Sequence, residues 1–153
     1  MPFPRRLLAL LLTSLAAAGT SGCARSPEEQ EARFLDRGKK RLEERDYTRA
    51  VLELNNALRA NPQNPETHYQ MGMAYLGSGR VREGAMHLQK AVSLDPGHSA
   101  AQLKLAELML LSRDESLVPD VEEKVQDVLQ VDPENSQALF VLACVELHQW
   151  PRI

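Results

Sequence analysis

The sequence predicts an all-α chain, an α-solenoid of antiparallel helix pairs about three and a half units long. Three observations carry that prediction. Apolar residues recur at three- and four-residue steps, and no stretch alternates as a strand would. Pro62, Pro96 and Pro133 each follow one apolar helix and precede another, at intervals of 34 and then 37 residues. Inside those intervals small and apolar residues hold matching places. Phe34, Gly38, Ala50, Leu54 and Ala57 are spaced as His68, Gly72, Gly84, Leu88 and Ala91 are. Self-similarity at a fixed period means stacked units that bury a continuous core between neighbours.

Residues 1–22 stand outside that array. Arg5-Arg6 precede the run Leu7-Leu8-Ala9-Leu10-Leu11-Leu12, and small residues follow through Gly22. A charged start, a short apolar core and small residues describe an export signal. The apolar run falls short of the roughly 20 residues that a spanning helix needs. Residues 23–30 read as a tether.

Ser26-Pro27-Glu28-Glu29 is a helix start: serine caps, proline opens, and a glutamate three residues on can close a capping box. The first helix is expected to run to about Arg45. Its charges are of mixed sign, which suits a solvated face with ion pairs better than a basic surface meeting lipid. Asp46 caps the second helix. Asn64 and Pro65 open the third, whose face carries His68, Met71, Gly72 and Tyr75. Gly77-Ser78-Gly79 stop it, because glycine takes the left-handed conformation at little cost. The fourth carries Val81, Gly84, Ala85, Leu88, Ala91 and Val92 and ends at Asp95-Pro96. A fifth is expected from about Ala100 to Leu111. The polar connection Ser112-Arg113-Asp114-Glu115-Ser116 absorbs the extra residues of the longer interval. Pro119 opens a sixth helix running to about Val131, and Asp132-Pro133-Glu134-Asn135 lead into the last, which ends before Trp150-Pro151. The units lie near 31–64, 65–98 and 99–135, with a partial one at 136–153, so the array covers 31–153.

Phe140-Val141-Leu142-Ala143-Cys144-Val145 is apolar nearly all round, and such a helix is normally buried on more than one side. The sequence therefore reads as the front part of a longer repeat protein. Self-association through the last helix and docking of a partner there are the alternatives.

These residues resemble the tetratricopeptide repeat (TPR). Met71-Gly72, Tyr75, Leu88, Ala91 and Pro96 match its pattern, as do Gly38, Tyr47, Ala50, Leu54, Ala57 and Pro62 in the first unit. Arg37 and Arg41 stand there where apolar residues are usual. The third unit keeps Leu105-Ala106, Val125, Val128 and Pro133 but departs from the pattern with bulky Val121 at a small-residue place. The resemblance implies a protein-binding groove along the first helix of each unit. Carried over by spacing, it holds Leu35 and Lys39, Tyr69 and Met73, Leu103 and Glu107, and Phe140 with Cys144. Leu35 and Leu103 suit groove and core equally, whereas Tyr69 and Met73 lean to the groove because Met71 and Tyr75 already supply packing. The strip is mostly apolar and lacks the repeated Lys and Asn with which some members clamp a terminal carboxylate. An amphipathic or extended segment of another protein is the expected occupant.

Thr20-Ser21-Gly22-Cys23 resembles a bacterial lipoprotein processing site, in which the cysteine is acylated and becomes the first mature residue. That resemblance implies a lipid anchor at Cys23 and a place in the cell envelope. Ala24 is not the aspartate that retains many lipoproteins at the inner membrane. The outer membrane, facing the periplasm, is expected where a cell has two.

Formal charge is -3, and without Arg5 and Arg6 it becomes -5, the opposite of the basic excess of a nucleic-acid binder. There is no phosphate-binding glycine loop, no histidine pair at metalloprotease spacing and no Cys-x-x-Cys. His68 and His87 can approach if their helices pair, but two histidines without a third ligand do not make a metal site. Glu43-Glu44, Asp114-Glu115 and Glu122-Glu123 point in different directions on a helix. Cys144 is the one cysteine left beside an acylated Cys23 and reads as a small hydrophobe. No catalysis, cofactor or metal is expected. The function expected is a lipid-anchored envelope scaffold, of the kind that assembles a pilus or a polysaccharide export machine. The alternative of a different class is the N-terminal interaction part of a longer enzyme or regulator.

Overall fold

A computed structural model describes residues 26–149; the export segment 1–22, Cys23 and Trp150-Pro151 lie outside the described residues. The described chain forms seven α-helices: α1 Pro27–Glu43, α2 Tyr47–Ala60, α3 Pro65–Gly77, α4 Val81–Leu94, α5 Ser99–Ser112, α6 Val118–Val131 and α7 Ser136–Gln149. The polar connection before α6 contains a 3-10 turn, Glu115–Leu117, that the sequence did not signal. α1 stops two residues short of Arg45, while α5 gains a residue at each end.

Capping side chains set most of the starts. Ser26 Oγ accepts the Glu29 N–H at 3.2 Å, Asp46 Oδ1 that of Arg49 at 3.1 Å and Asn64 Oδ1 that of Thr67 at 3.1 Å. The helix ends share one turn. Arg45, Gly79 and Arg113, each 34 residues apart, have φ of 58°, 79° and 56°. After the first two, the next N–H reaches back five residues, Asp46 to the Arg41 carbonyl at 2.9 Å and Arg80 to the Tyr75 carbonyl at 2.8 Å. Only Gly79 announces this turn in sequence, because a left-handed conformation costs arginine roughly 1–2 kcal/mol that glycine avoids.

Helices pair within a unit, α1 with α2, α3 with α4 and α5 with α6, and each second helix packs on the next first helix. α1 also touches α3, and α5 touches α7, so the first helices form one layer and α2, α4 and α6 the other. The crossings are close. A Cβ on Gly38 would lie 2.6 Å from Leu54 Cγ, and one on Gly72 would lie 2.8 Å from Leu88 Cγ and 3.1 Å from the Gly84 oxygen. Leu54 and Leu88 are thereby sealed completely, together with Ala50, Ala57 and Ala91. Burying each leucine contributes about 1.5–3 kcal/mol. In the third unit Ala106 takes the glycine's place, and Val121, Val125 and Val128 form the core with Leu103, Ala138, Val141 and Val145. The bulk of Val121 is accommodated: it is buried, and a small gap lined by Leu110, Leu117 and Val118 opens beside it.

Polar side chains fasten one unit to the next. Glu31 on α1, itself buried, accepts from Thr67 Oγ1 at 2.7 Å and Asn64 Nδ2 at 3.0 Å. His68 Nε2 lies 3.1 Å from the Pro62 carbonyl, and Gln102, 34 residues on, donates to the Pro96 carbonyl at 2.6 Å. These bonds give the backbone acceptors of the inter-unit turns a side-chain partner.

Replacing Gly72→Ala should lower the unfolding free energy by roughly 1–2 kcal/mol, the cost of overpacking less the helix propensity that alanine gains. Urea unfolding of the variant checks it. A midpoint equal to or above wild type would contradict the close α3–α4 crossing.

Candidate functional site

The residues that carry chemistry fall into two groups, a strip on the first-helix layer and a ring stack between α3 and α4. The strip is built from polar clusters with apolar surface beside them. Lys39 on α1 holds Glu66 on α3 at 2.7 Å. Glu66 also takes Gln70 Nε2 at 2.9 Å and His98 Nε2 at 3.2 Å, so one carboxylate ties α1, α3 and the start of α5 together. Burial would raise the Glu66 pKa, but Lys39, Gln70 and His98 outweigh it and hold the carboxyl below its ordinary value. His98 caps α5 through Nδ1, 3.3 Å from the Ala101 N–H, which leaves Nε2–H to donate to Glu66.

Further along, Lys104 pairs with Glu107 on the next turn of α5, and Gln137 on α7 donates to the same carboxylate at 2.7 Å. Tyr69 lies between the two clusters. Its ring centroid is 5.0 Å from that of His98. Burial pushes its hydroxyl pKa up, while Lys104 opposes and Glu66 and Glu107 reinforce that shift. Beyond Glu107 the surface turns apolar. Leu110, Leu111, Phe140, Val141 and Cys144 line a pocket of about 390 Å³ with Glu107 at its rim.

Of the residues the sequence assigned to the groove, Lys39, Tyr69, Met73, Glu107 and Cys144 are half-buried and Phe140 is 67% exposed. Glu107, Phe140 and Cys144 meet in the one pocket, and Tyr69 joins it to the Lys39 cluster. Leu35 at 9% exposure and Leu103 at 2% lie in the cores of the first and third units. Glu66, His98, Lys104, Gln137, Leu110 and Leu111 were not singled out for this strip. Helical phase could have found Glu66, though not its pairing across units. Glu66 and Gln70 flank Tyr69 and Met73, one turn apart on the same helix.

The second group is the histidine pair. His68 and His87 approach to 3.1 Å between their Nδ1 atoms. The Pro62 carbonyl can only accept, so His68 carries its proton on Nε2, and its bare Nδ1 accepts from His87 Nδ1–H. The rings stack at 5.4 Å, Tyr75 stacks on His87 at 5.3 Å, and the Arg80 guanidinium lies 4.5 Å from the Tyr75 centroid. Burial lowers the pKa of both histidines. For His68 the Pro62 bond opposes this and Lys90 adds to it; for His87 the neighbouring His68 adds to it. Among the described residues no three His, Cys, Asp or Glu converge as a metal ion requires, and no helix is long and apolar enough to cross a membrane.

Comparison with known proteins agrees with this architecture. A family model described as the cytochrome c-type biogenesis protein H TPR domain matches residues 21–150. A BBSome complex member, bbs-4, of Caenorhabditis elegans is 31% identical over 64 residues, 42% of this chain and 14% of that protein. The DnaJ homolog subfamily C member 7 homolog of Schizosaccharomyces pombe is 27% identical over 106 residues, 63% of this chain and 22% of that one. The chain thus spans less than a quarter of the length of these curated relatives. Among solved structures, the second TPR domain of human RPAP3 in complex with the HSP70 peptide SGPTIEEVD superposes with a TM-score of 0.67. It is 24% identical, over 78% of this chain and 98% of that one.

The histidine pair makes stability depend on pH with a definite sign. Both folded-state pKa values lie below the ordinary 6.5, so the folded state favours the neutral rings. Their contribution is complete above that value and is lost as pH falls below it. The thermal midpoint should therefore drop between about pH 7 and pH 5. His68→Gln, which copies the bond of Gln102 to its proline carbonyl, should flatten that drop. Parallel profiles for wild type and variant would contradict the assignment.

Proposed function

The chain belongs to the family of cytochrome c-type biogenesis protein H TPR domains, and from that membership we propose that it is an envelope scaffold holding an extended, largely uncharged segment of another protein. A TPR array is a protein-interaction scaffold and is typically non-catalytic. The finer reading rests on one observation: both strip cations are already neutralised. Lys39 is paired with Glu66 and Lys104 with Glu107. An acidic segment such as the SGPTIEEVD peptide of the RPAP3 complex would have to break those pairs to gain its own. An apolar side chain entering the pocket beside Phe140, with backbone groups along Gln70 and Tyr69, costs no such exchange. Aromatic and aliphatic side chains in a pocket are the usual anchors of such contacts.

The export segment and Cys23, read as the anchor, support a location in the envelope, with the outer membrane favoured in a two-membrane cell. A biogenesis protein as the family's described member supports a part in assembly. An envelope machine such as a pilus or a polysaccharide exporter is the setting we favour.

One envelope-fractionation experiment with in-cell cross-linking tests both halves. Tyr69→Ala with Phe140→Ala should reduce partner capture at least about tenfold, while Glu123→Ala on the α6 layer should leave it within about twofold. Cys23→Ser should move the chain out of the membrane fraction. Equal loss from the strip and α6 changes would relocate the binding surface, and an unmoved Cys23 variant would remove the anchor.

A further inference from the structure

We infer that His68 and His87 form a two-coordinate site for a soft monovalent metal ion, Cu(I), held between their Nδ1 atoms. Three converging protein ligands are what a tetrahedral ion such as zinc needs. A monovalent d10 ion is satisfied by two donors on opposite sides, and this pair has that arrangement. The Nδ1 atoms lie 3.1 Å apart and the ring centroids 5.4 Å apart, about as far as that contact permits. Each nitrogen therefore lies close to the line joining the ring centres and is aimed at the other ring. In the hydrogen-bonded pair a proton occupies that line. Setting a metal ion there at about 2.0 Å from each nitrogen requires the nitrogens to part to about 4 Å.

One ligand is already oriented for this. His68 Nε2–H donates to the Pro62 carbonyl at 3.1 Å, the second hydrogen bond that orients a metal-binding imidazole and leaves Nδ1 as the donor atom. Fastening the turn does not require a histidine, because Gln102 makes the equivalent bond to the Pro96 carbonyl in the next unit. What histidine adds over glutamine is a second nitrogen, and that nitrogen faces His87. The place of His87 holds Glu53 in the first unit and Lys124 in the third, so the pair belongs to the middle unit. His87, half-buried on α4 with Tyr75 against its ring at 5.3 Å, is the ligand that gives way. The surrounding charge favours a monovalent ion. Lys90 acts on His68 and the Arg80 guanidinium covers Tyr75, so a second positive charge on the metal would meet repulsion. Burial favours the neutral form of both rings, which is the form that ligates. On binding, each Nδ1 lone pair forms one bond to the metal. The Nδ1 proton of His87 passes to Nε2 of the same ring, and no electron changes hands.

The test uses Ag(I), the redox-inert analogue of Cu(I), and Cu(I) itself without oxygen. The protein is the full chain with Cys23→Ser and Cys144→Ser, so that no thiol competes. Nitrogen NMR of the imidazoles reports the ligands. One equivalent of either ion should shift the Nδ1 resonances of His68 and His87 together and leave those of His98 in place, while zinc at the same concentration should shift neither of the pair. Affinity, measured by competition with a chromophoric chelator, should fall at least about tenfold in His87→Gln and in His68→Gln, which keeps the Pro62 bond, and stay within about twofold in His98→Gln. Ions held as tightly by His87→Gln as by its parent, an adventitious ion only, would overturn the proposal. So would zinc shifting both resonances where Ag(I) shifts neither, the mark of a tetrahedral site completed by water.

Discussion

The crossing of paired helices at a residue with little or no side chain is the contact on which the rest of the array depends. At Gly38 and Gly72 the second helix lies so near that a Cβ would stand 2.6–2.8 Å from a leucine of the partner. That approach lets Leu54 and Leu88 fill the space between the helices completely. It also fixes which face of each first helix is spent on packing and which is left for the strip. In the second unit Leu76 rests over Gly84, whose missing side chain makes room for it. In the third, Val121 stands where Gly84 would, and Leu110, the counterpart of Leu76, lines the gap beside Val121 and the pocket under Phe140 instead. Leu110 thus belongs both to the packing around Val121 and to the apolar end of the strip.

Between units the fastening is polar and directional. The carbonyls of Pro62 and Pro96 are met by a histidine and a glutamine at equivalent positions, and buried Glu31 gathers Asn64 and Thr67. These bonds contribute modestly to stability when formed, and leaving a buried member unpaired costs more than forming it gains. On the strip the same economy appears as internal neutralisation. Glu66 and Glu107 each hold a lysine and reach a neighbouring unit, so the charges that could attract a ligand are used to set the angle between units. What remains for a ligand is Tyr69, Met73, Phe140 and the pocket, which is why an uncharged segment suits this surface.

Much of the fold was legible in the sequence because the signals were local. Ser26, Asp46 and Asn64 cap helices as expected, and Gly38, Gly72, Ala50, Ala57 and Ala91 lie at crossings. The left-handed turns at Arg45 and Arg113 were hidden, since arginine adopts that conformation only where the packing of both helices demands it. The 3-10 turn at Glu115–Leu117 was hidden likewise, held by Asp114 capping Ser116 at 3.0 Å. The strip was half legible. Helical phase places Tyr69 and Met73 on it, but the same phase cannot separate groove from core for Leu35 and Leu103, because the angle of the next unit decides. The ion clusters depend on side-chain rotamers across units, which no spacing within one helix contains.

The proposal that the strip prefers an uncharged segment is tested most directly by the salt dependence of peptide binding. A library of immobilised peptides with free and amidated C-termini would be probed with the full chain across ionic strength. Predicted are ligands rich in apolar residues, indifferent to amidation, whose affinity changes less than about threefold as the Debye length shrinks from about 10 to 3 Å. Ligands that need a free acidic C-terminus and fall away steeply with salt would show that Lys39 and Lys104 leave Glu66 and Glu107 to bind them, contrary to the account given.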